Sequence, residues 1–494
     1  MPAQHFGRLI AGINALRLEY LLNTARSGED GIAFLRNFVR HALKMHEFAG
    51  ESFIAALATL ICAALLLWHS IDPSGEHLLE AIAVMDIYAA KDIYQAKVLL
   101  VYLYAELGLY SEAILWYDDL SIKEMQHETF SHALLSRISI SRPLASSIKA
   151  SGRTHASNLV DGAVYMYQSN RTKLDTFSKM LVNNGRPDML LELQDLQKCL
   201  DASITKRNLL LEQRRLNRLT NRQPKEPVIQ EDFQRWQLDL SDSRDYKTTA
   251  NHDRGDTYLD YHFQGVRQAP NASWILYNLW IEETWSSLQN TPYLVRPFVQ
   301  DNPKALDNVS EDPCLTTMEQ CLVPHWRSLG ILTTLATSAT APTSTQPLSG
   351  NFAKEFDQLC GVFARLPVSQ VLESNALFAT MPGYLIQNTY LLLDYLRALN
   401  LFLRTFSKSK ATQSALPLNK VQPLLTQIQI FFNDLQKCAK THKVRQDAAV
   451  IRKGLESSAV GKYVDVANVA KKISESATDG WDGVLKVVLD AQRY

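Results

Sequence analysis

The stretch LLVYLYAELGLYSEAILWY, residues 99–117, decides the fold. Its apolar and small residues recur three or four positions apart on both sides of Gly108, which is the spacing of one helix face. A glycine permits a tight chain reversal, and the small Ala113 permits two helices to approach closely. The stretch therefore predicts two antiparallel helices joined by a short turn. The residues of this repeat signature are Leu100, Tyr104, Gly108, Tyr110, Ala113 and Tyr117.

The same pattern occurs once more, 32 residues upstream. Ala81, Met85 and Tyr88 there correspond to Ala113, Tyr117 and Leu120. A period in the low thirties is typical of stacked helical hairpins such as tetratricopeptide repeats, with a generic helical hairpin as the alternative. Two repeats alone do not make a stable stack, so neighbouring helices must complete it. We predict an all-α fold: a tetratricopeptide-like helical hairpin array, an α-superhelix, with a C-terminal helical block.

Changes in composition along the chain predict four parts. Residues 1–145 form the tetratricopeptide-like repeats, and 146–336 form a helical middle region with an irregular excursion at 223–270. Residues 337–350, TSATAPTSTQPLSG, have the low complexity of a flexible linker. Residues 351–494 form the C-terminal helical block.

The overall composition is that of a globular protein without a strong charge. The 494 residues are 46% hydrophobic, and 51 basic residues balance 51 acidic ones. A net charge of zero gives no whole-chain attraction to DNA or to anionic lipid, so an electrostatic partner must meet a local patch. The six cysteines are scattered without a C-x-x-C pair, which predicts free thiols, no metal site and a cytoplasmic location.

One segment competes for a membrane interpretation. Residues Phe53–Trp68 contain no charge, but about 20 apolar residues are needed to cross the hydrocarbon core of a bilayer. The run is shorter and rich in alanine, which favours a helix buried inside the stack. The N-terminus also lacks the pattern of a secretory signal. We therefore predict no membrane partner.

Motifs of common enzymes are missing from the sequence. It has no phosphate-binding loop of the G-x-x-x-x-G-K-[ST] type and no G-x-S-x-G nucleophile elbow. His127, Glu128 and His132 resemble a zinc motif, but the histidines are five positions apart instead of four, which turns them to different faces of a regular helix. The sequence thus predicts no catalytic residues, no metal and no cofactor.

A local positive signal lies at residues 206–225, KRNLLLEQRRLNRLTNRQPK, where seven basic residues accompany one glutamate. The segment is typical of an amphipathic basic helix, which could neutralise phosphates of ribosomal RNA or an acidic protein surface. A solvated helix face is the alternative, because no aromatic residues are interleaved for base stacking. The candidate contact residues are Arg207, Arg214, Arg215 and Arg218. A weaker basic cluster covers Lys437–Lys453.

The polar residues that follow the repeat signature are not required by a generic tetratricopeptide repeat. Leu120, Ile122, Lys123, Gln126, Glu128, Thr129, Ser131 and His132 match the tail Leu-x-Ile-Lys-x-x-Gln-x-Asp/Glu-Thr-x-Ser/Gly-His/Tyr. With these residues the chain resembles the family of non-catalytic subunits of the N-terminal acetyltransferase NatB. The motif residues carried over are Lys123, Gln126, Thr129 and His132. A weaker similarity covers Asp242–Tyr246.

The resemblance implies a superhelix that wraps a small catalytic acetyltransferase and holds it at the ribosome. The complex would acetylate nascent chains that begin Met-Asp, Met-Glu, Met-Asn or Met-Gln. An acetyl-CoA enzyme carries a [QR]-x-x-G-x-[GA] loop, and the nearest string here, Arg327–Leu332, ends in a leucine where a small residue is needed. The resemblance therefore places catalysis in the partner chain.

One point distinguishes this chain from that expectation. Family members usually carry a long array of repeats before the matching region, which here begins within the first hundred residues, so the chain resembles the central and C-terminal part of a subunit. A tetratricopeptide-type adaptor in a cytoskeletal or trafficking assembly is the alternative function.

Overall fold

The computed structural model describes residues 3–24, 28–49, 51–72, 76–89, 91, 93–144, 155–222, 240–244, 270–289, 309–340, 350–368, 371, 382–408, 418–445 and 448–493. These residues form seventeen α-helices, four short 3-10 helices and no strand. The helices are α1 (Ala3–Asn23), α2 (Gly28–Phe48), α3 (Glu51–Ile71), α4 (Glu76–Ala89), α5 (Tyr94–Glu106), α6 (Tyr110–Asp119), α7 (Gln126–Phe130), α8 (Ala156–Asn183), α9 (Leu190–Asp201), α10 (Ile204–Leu219), α11 (Ala272–Leu288), α12 (Thr317–Thr340), α13 (Gly350–Phe363), α14 (Pro382–Phe406), α15 (Leu418–Arg445), α16 (Ala448–Ser457) and α17 (Val466–Arg493). The predicted all-α fold is confirmed.

Successive helices α2 to α6 each pack against the next, as antiparallel hairpins in a stack do. Helix α3 lies in the middle of this stack. It is the one helix in the described part of the chain that is long and apolar enough to cross a membrane, and 72% of its apolar window is buried inside the protein. Within this window, every residue from Leu57 to Leu67 is at most 7% exposed. The apolar run is used as the interior of the stack.

The repeat signature forms the hairpin of α5 and α6. Gly108 has a φ of 74°, the left-handed region, and ends α5 with two backbone bonds: its N–H donates to Ala105 O at 3.0 Å and the N–H of Leu109 to Tyr104 O at 2.7 Å. Ala113 is fully buried between the helices. The Tyr117 ring stacks on Phe130 with centroids 5.9 Å apart. The other signature residues Leu100, Tyr104 and Tyr110 are also buried.

The C-terminal helices pack back onto the repeats. Helix α17 packs against α6, α14 and α15. Its Asp479 accepts hydrogen bonds from Ser111 Oγ at 2.6 Å and from the guanidinium of Arg142. Its Lys472 lies 2.8 Å from an oxygen of Asp86 on α4. Buried polar contacts therefore fasten the C-terminal helical block to the first 145 residues.

A second set of buried ion pairs joins the middle region to the C-terminal block and to the repeats. Arg218 of α10 donates from Nε and NH2 to the carboxylate of Asp394 on α14, at 3.0 and 2.9 Å, and from NH1 to Glu282 on α11 at 2.5 Å. Arg137 lies 3.2 Å from Glu319 of α12, and both side chains are at most 2% exposed. Buried charges are tolerated when each is paired and hydrogen-bonded, which both arginines satisfy.

Two predicted segments are described only in part. Helix α12 continues to Thr340, so the first four residues of the predicted linker 337–350 are helical, while 341–349 lie outside the described residues. Within the predicted irregular excursion 223–270, the structure describes 240–244 and residue 270. The division of the chain into four parts stays a proposal.

Replacing Ala113 with tryptophan should destabilise the repeat hairpin. The side chain is fully buried at the crossing of α5 and α6, and overpacking such a site costs about 1–3 kcal/mol or more. Thermal unfolding followed by circular dichroism measures the effect. Ala15→Trp on the exposed side of α1 is the matched control and should leave the melting temperature unchanged. Equal melting temperatures for both variants would contradict the close helix crossing.

Replacing Asp394 with asparagine should be strongly destabilising. The change leaves Arg218, only 6% exposed at its side chain, without its main counter-charge, and breaking a buried pair costs about 3–5 kcal/mol. The control is Asp357→Asn, which breaks an ion pair with Lys420 whose side chains are 58% and 45% exposed, and which should cost under about 1 kcal/mol. Urea denaturation compares the free energies of unfolding of the two variants. Similar losses of stability would show that the buried pair contributes no more than the exposed one.

Candidate partner-binding site

The family-motif residues lie in and around the short helix α7. Lys123 and Gln126 are exposed and define its start, where the backbone N–H of Lys123 donates to Gln126 Oε1 at 3.0 Å. Thr129 donates its hydroxyl to Gln126 O at 3.2 Å. His132 is buried in the 3-10 helix that comes next, with Nε2 3.1 Å from the Tyr102 hydroxyl. Burial, and to a smaller extent the charge of Arg244, lowers the pKa of His132 to about 3, so its imidazole is neutral at physiological pH.

Glu128 is the centre of this region. Its carboxylate, 2% exposed, accepts hydrogen bonds from Ser203 Oγ at 2.8 Å and from the hydroxyl of Tyr167. Thr205 Oγ1 donates to the Glu128 carbonyl at 3.2 Å. Burial raises the pKa of Glu128, and the hydrogen bonds from Tyr167 and Ser203 act in the opposite direction. We call Glu128, Tyr167, Ser203 and Thr205 the Glu128 cluster. It connects α7 to α8 and to the start of α10.

The described part of the second family-like element Asp242–Tyr246, which is Asp242–Arg244, lies close to the Glu128 cluster. Ser241 pairs with the joint between α9 and α10: its N–H donates to Ala202 O at 2.9 Å, and its carbonyl accepts from the N–H of Ile204 at 3.0 Å. The guanidinium of Arg244 donates two hydrogen bonds to the carboxylate of Asp242, at 2.7 and 2.6 Å. Burial would raise the pKa of Asp242, but the hydrogen bonds and charge of Arg244 lower it below its usual value.

Asp242 and Arg244 also act electrostatically on Glu128 and His132, which are more than 100 residues earlier in the chain. The two stretches that resemble the family are therefore parts of one polar site. The rest of the second element, Asp245 and Tyr246, lies outside the described residues.

The four arginines predicted to contact RNA lie on α10, and three of them are turned into the protein. Arg215 and Arg218 are at most 6% exposed at their side chains, where they meet Asn278, Asp394 and Glu282. Arg207 is also buried and donates to Asp201 O at 3.3 Å, while Arg214 is half-buried.

The burial of three of these arginines is unexpected from the sequence, because a solvated basic face and an RNA-binding face would both be open to solvent. Leu209 and Leu216 pack in the core, as the apolar face of an amphipathic helix does, and most of the charged side of α10 is covered as well. An RNA contact by these four arginines stays a prediction, and the buried ion pairs of Arg215 and Arg218 argue against their part in it.

Sequence reasoning missed Tyr167, Ser203 and Thr205. Their residue types are ordinary on helices, and only the fold brings Tyr167 and Ser203 to Glu128 from 39 and 75 residues away. One signal was present in the sequence: Ser203 is a typical helix N-cap, and its side chain accepts from the N–H of Lys206 at 3.0 Å.

A small cavity adjoins the Glu128 cluster. It measures about 150 Å³ and is lined by Tyr167, Gln168, Arg171, Gln197, Leu200, Asp201 and Lys206. Pockets for cofactors are typically about 300–1,000 Å³, so this one is too small for acetyl-CoA. Within the described ranges no group of His, Cys, Asp and Glu side chains could hold a metal ion. Glu128 has its oxygens occupied by hydroxyl groups, which suits a structural role.

Comparison with known proteins gives a family and a fold. A sequence model described as the N-acetyltransferase B complex (NatB) non-catalytic subunit matches residues 5–256. No curated protein sequence matches. Two solved structures are similar over most of the chain at 16% identity: the NatB acetyltransferase complex bound to a bisubstrate inhibitor, with TM-score 0.62 over 93% of this chain, and the same complex bound to CoA and MES, with TM-score 0.63 over 97%.

This chain covers 58% of the length of each of those solved chains, so it spans little more than half of what it matches. At 16% identity the structural likeness shows the helical fold alone, while the sequence match reaches half of the chain and includes the repeats, α7, the Glu128 cluster and Arg244. The chain belongs to the family of non-catalytic subunits of the N-terminal acetyltransferase complex NatB.

Proposed function

We propose that the protein is an auxiliary subunit that binds the catalytic NatB acetyltransferase and shapes its access to substrate. The observation that carries the proposal is the family match over residues 5–256, which covers the repeats and the Glu128 cluster together. A stack of helices fastened by buried ion pairs is a rigid support, and rigid surfaces bind partners with little loss of conformational entropy.

The polar groups of the Glu128 cluster support a non-catalytic role. General acid–base catalysis needs a group whose pKa is near the working pH and which can reach a substrate. His132 has a pKa of about 3 and is 9% exposed, and Glu128 is enclosed by the Tyr167 and Ser203 hydroxyls. These two groups are therefore unsuited to acid–base catalysis, in agreement with the family of non-catalytic subunits.

The finer parts of the proposal come from the family resemblance. The complex acts in the cytoplasm, at the ribosome, on nascent chains that begin Met-Asp, Met-Glu, Met-Asn or Met-Gln. No membrane and no DNA take part. A net charge of zero supports the last point, since DNA binding rests mainly on phosphate neutralisation by basic groups.

Co-expression with a catalytic NatB subunit tests the central proposal. We expect a stoichiometric complex that acetylates a Met-Asp peptide and leaves an Ala-Ser peptide unmodified. The chain alone should neither acetylate peptide nor bind acetyl-CoA in calorimetry, because it lacks the pyrophosphate loop. A folded chain that never retains the catalytic subunit would instead favour the adaptor function, and low-micromolar acetyl-CoA binding by the chain alone would contradict a non-catalytic role.

Ribosome binding should depend on salt and on exposed lysines. Lys440 and Lys453 are exposed members of the basic cluster at Lys437–Lys453. Reversing both to glutamate should weaken co-sedimentation of the complex with ribosomes and lower the slope of log affinity against log salt by about 1 per lost phosphate contact. Arg8→Glu with Arg40→Glu reverses two exposed charges on α1 and α2 and serves as the control. Equal sedimentation of both variants across the salt titration would remove this lysine cluster as the contact.

A further inference from the structure

Helices α8 and α9 form a hairpin that extends beyond the body of the protein. The first half of α8 packs against α10, with Val160 and Ala163 fully buried. From Arg171 onward nearly every residue is exposed or half-buried, and α9 packs mainly on α8. We call residues 171–199 the α8–α9 hairpin.

The tip of the α8–α9 hairpin is a defined turn. Gly185 has a φ of 67° and its N–H donates to Val182 O at 3.2 Å, while the N–H of Arg186 donates to Leu181 O at 2.9 Å. This pair of bonds is the Schellman motif that ends a helix at a left-handed glycine. Pro187 then opens the short 3-10 helix before α9. The projection is therefore regular helix up to its end.

The Glu128 cluster fixes the base of the α8–α9 hairpin on both sides. Tyr167 lies one turn before the projecting part of α8, and Ser203 lies just after α9; both donate to the same buried carboxylate. Lys173 adds a contact of 2.6 Å to Glu124, beside α7. Residues of the family motif region thus set the direction in which the α8–α9 hairpin points.

The α8–α9 hairpin exposes large apolar side chains that a solvated helix pair would not carry. Six of them are between 38% and 68% exposed. They are Phe177, Met180, Val182, Met189, Leu191 and Leu196. With about 150–200 Å² for a whole side chain, their exposed fractions amount to roughly 500 Å² of apolar surface. A standard interface buries about 800 Å² per partner, of which rather more than half is apolar, so the summed area of these six side chains is comparable to the apolar part of one such interface.

Charge on the α8–α9 hairpin decides the class of partner. Residues 171–199 contain five basic and four acidic side chains. A nucleic acid or an anionic membrane would favour a strong basic excess, and the excess here is a single charge. A balanced rim around apolar side chains is typical of a protein–protein interface.

We propose that the α8–α9 hairpin is a docking surface for the catalytic acetyltransferase subunit, a proposal that rests on the function proposed above. The α8–α9 hairpin lies within residues 5–256, the region that the chain shares with its family, and its base is held by Glu128 of the family motif. A partner that the whole family binds is expected to contact a surface that the shared region forms and orients. The exposed Leu18 and Leu22 of α1 also lie within residues 5–256, but α1 packs mainly on α2 and α3 and is not held by the Glu128 cluster.

Charge insertion on the α8–α9 hairpin tests the proposal. Phe177→Glu with Leu191→Glu changes two side chains that are 50% and 68% exposed, so the fold should be retained. We expect the Kd for the co-expressed catalytic NatB subunit to rise at least tenfold in a titration at fixed salt, with an unchanged melting temperature. Leu18→Glu with Leu22→Glu, at positions 60% and 80% exposed on α1, is the matched control and should bind as the parent does.

Cys199 provides a second measurement on the parent protein. It is exposed on α9, one helical turn beyond the exposed Leu196. Its alkylation by a maleimide, read by mass spectrometry, should slow at least fivefold when the catalytic subunit is bound. Unchanged alkylation would overturn the docking surface, and so would full binding by the Phe177→Glu and Leu191→Glu variant.

The outcomes separate the two proposals. A parent chain that fails to bind the catalytic subunit refutes the proposed function itself. A parent chain that binds while the α8–α9 hairpin variant binds equally refutes the docking surface alone. Light scattering adds one more outcome: a parent dimer that the same variant makes monomeric would show that a second copy covers the α8–α9 hairpin, which also overturns the proposal.

Discussion

The structure depends on the buried ion pair between Arg218 and Asp394. Arg218 makes two hydrogen bonds to Asp394 and a third contact to Glu282, and it also lies over the Trp285 ring at 5.0 Å. These contacts bring α10, α11 and α14 together at one point. Burial opposes the ionised form of Asp394, but Arg218 lowers its pKa below the usual value, so both partners stay charged. Burial makes this joint costly to open, because separation would leave charged groups unpaired in the interior.

Similar contacts repeat along the chain and explain why a long helical array keeps one shape. Arg137 joins the end of the repeats to α12, and Arg142 joins it to α17. Each such pair lies between elements far apart in sequence, where apolar packing between helices specifies orientation only loosely. Directional hydrogen bonds add the missing specificity. The stack of α2 to α6 depends less on such buried hydrogen bonds, because each helix there packs against its neighbour in sequence.

The local part of the fold could be predicted from the sequence, and the long-range part could not. Gly108 and the helical spacing around it predict the α5–α6 hairpin because turn geometry and helix periodicity are properties of neighbouring residues. The basic run on α10 was a different case. Its spacing shows a charged face, but the carboxylates that cover this face, Glu282 and Asp394, lie 64 and 176 residues further along. No local pattern distinguishes a charge that meets solvent from one that meets a distant partner.

The Glu128 cluster could not be predicted from local sequence either, because its members come from distant parts of the chain. Sequence spacing marked Glu128 and His132 as family residues, but only the fold shows that Glu128 holds the bases of α8 and α9 through Tyr167 and Ser203. A carboxyl group fixed by a hydroxyl group at 2.8 Å orients the helix that carries this hydroxyl, since hydrogen bonds are directional. An apolar surface held in place before a partner arrives loses little entropy on binding. Polar residues that form no catalytic site can therefore still matter for function, because they determine where the apolar surface of the α8–α9 hairpin is presented.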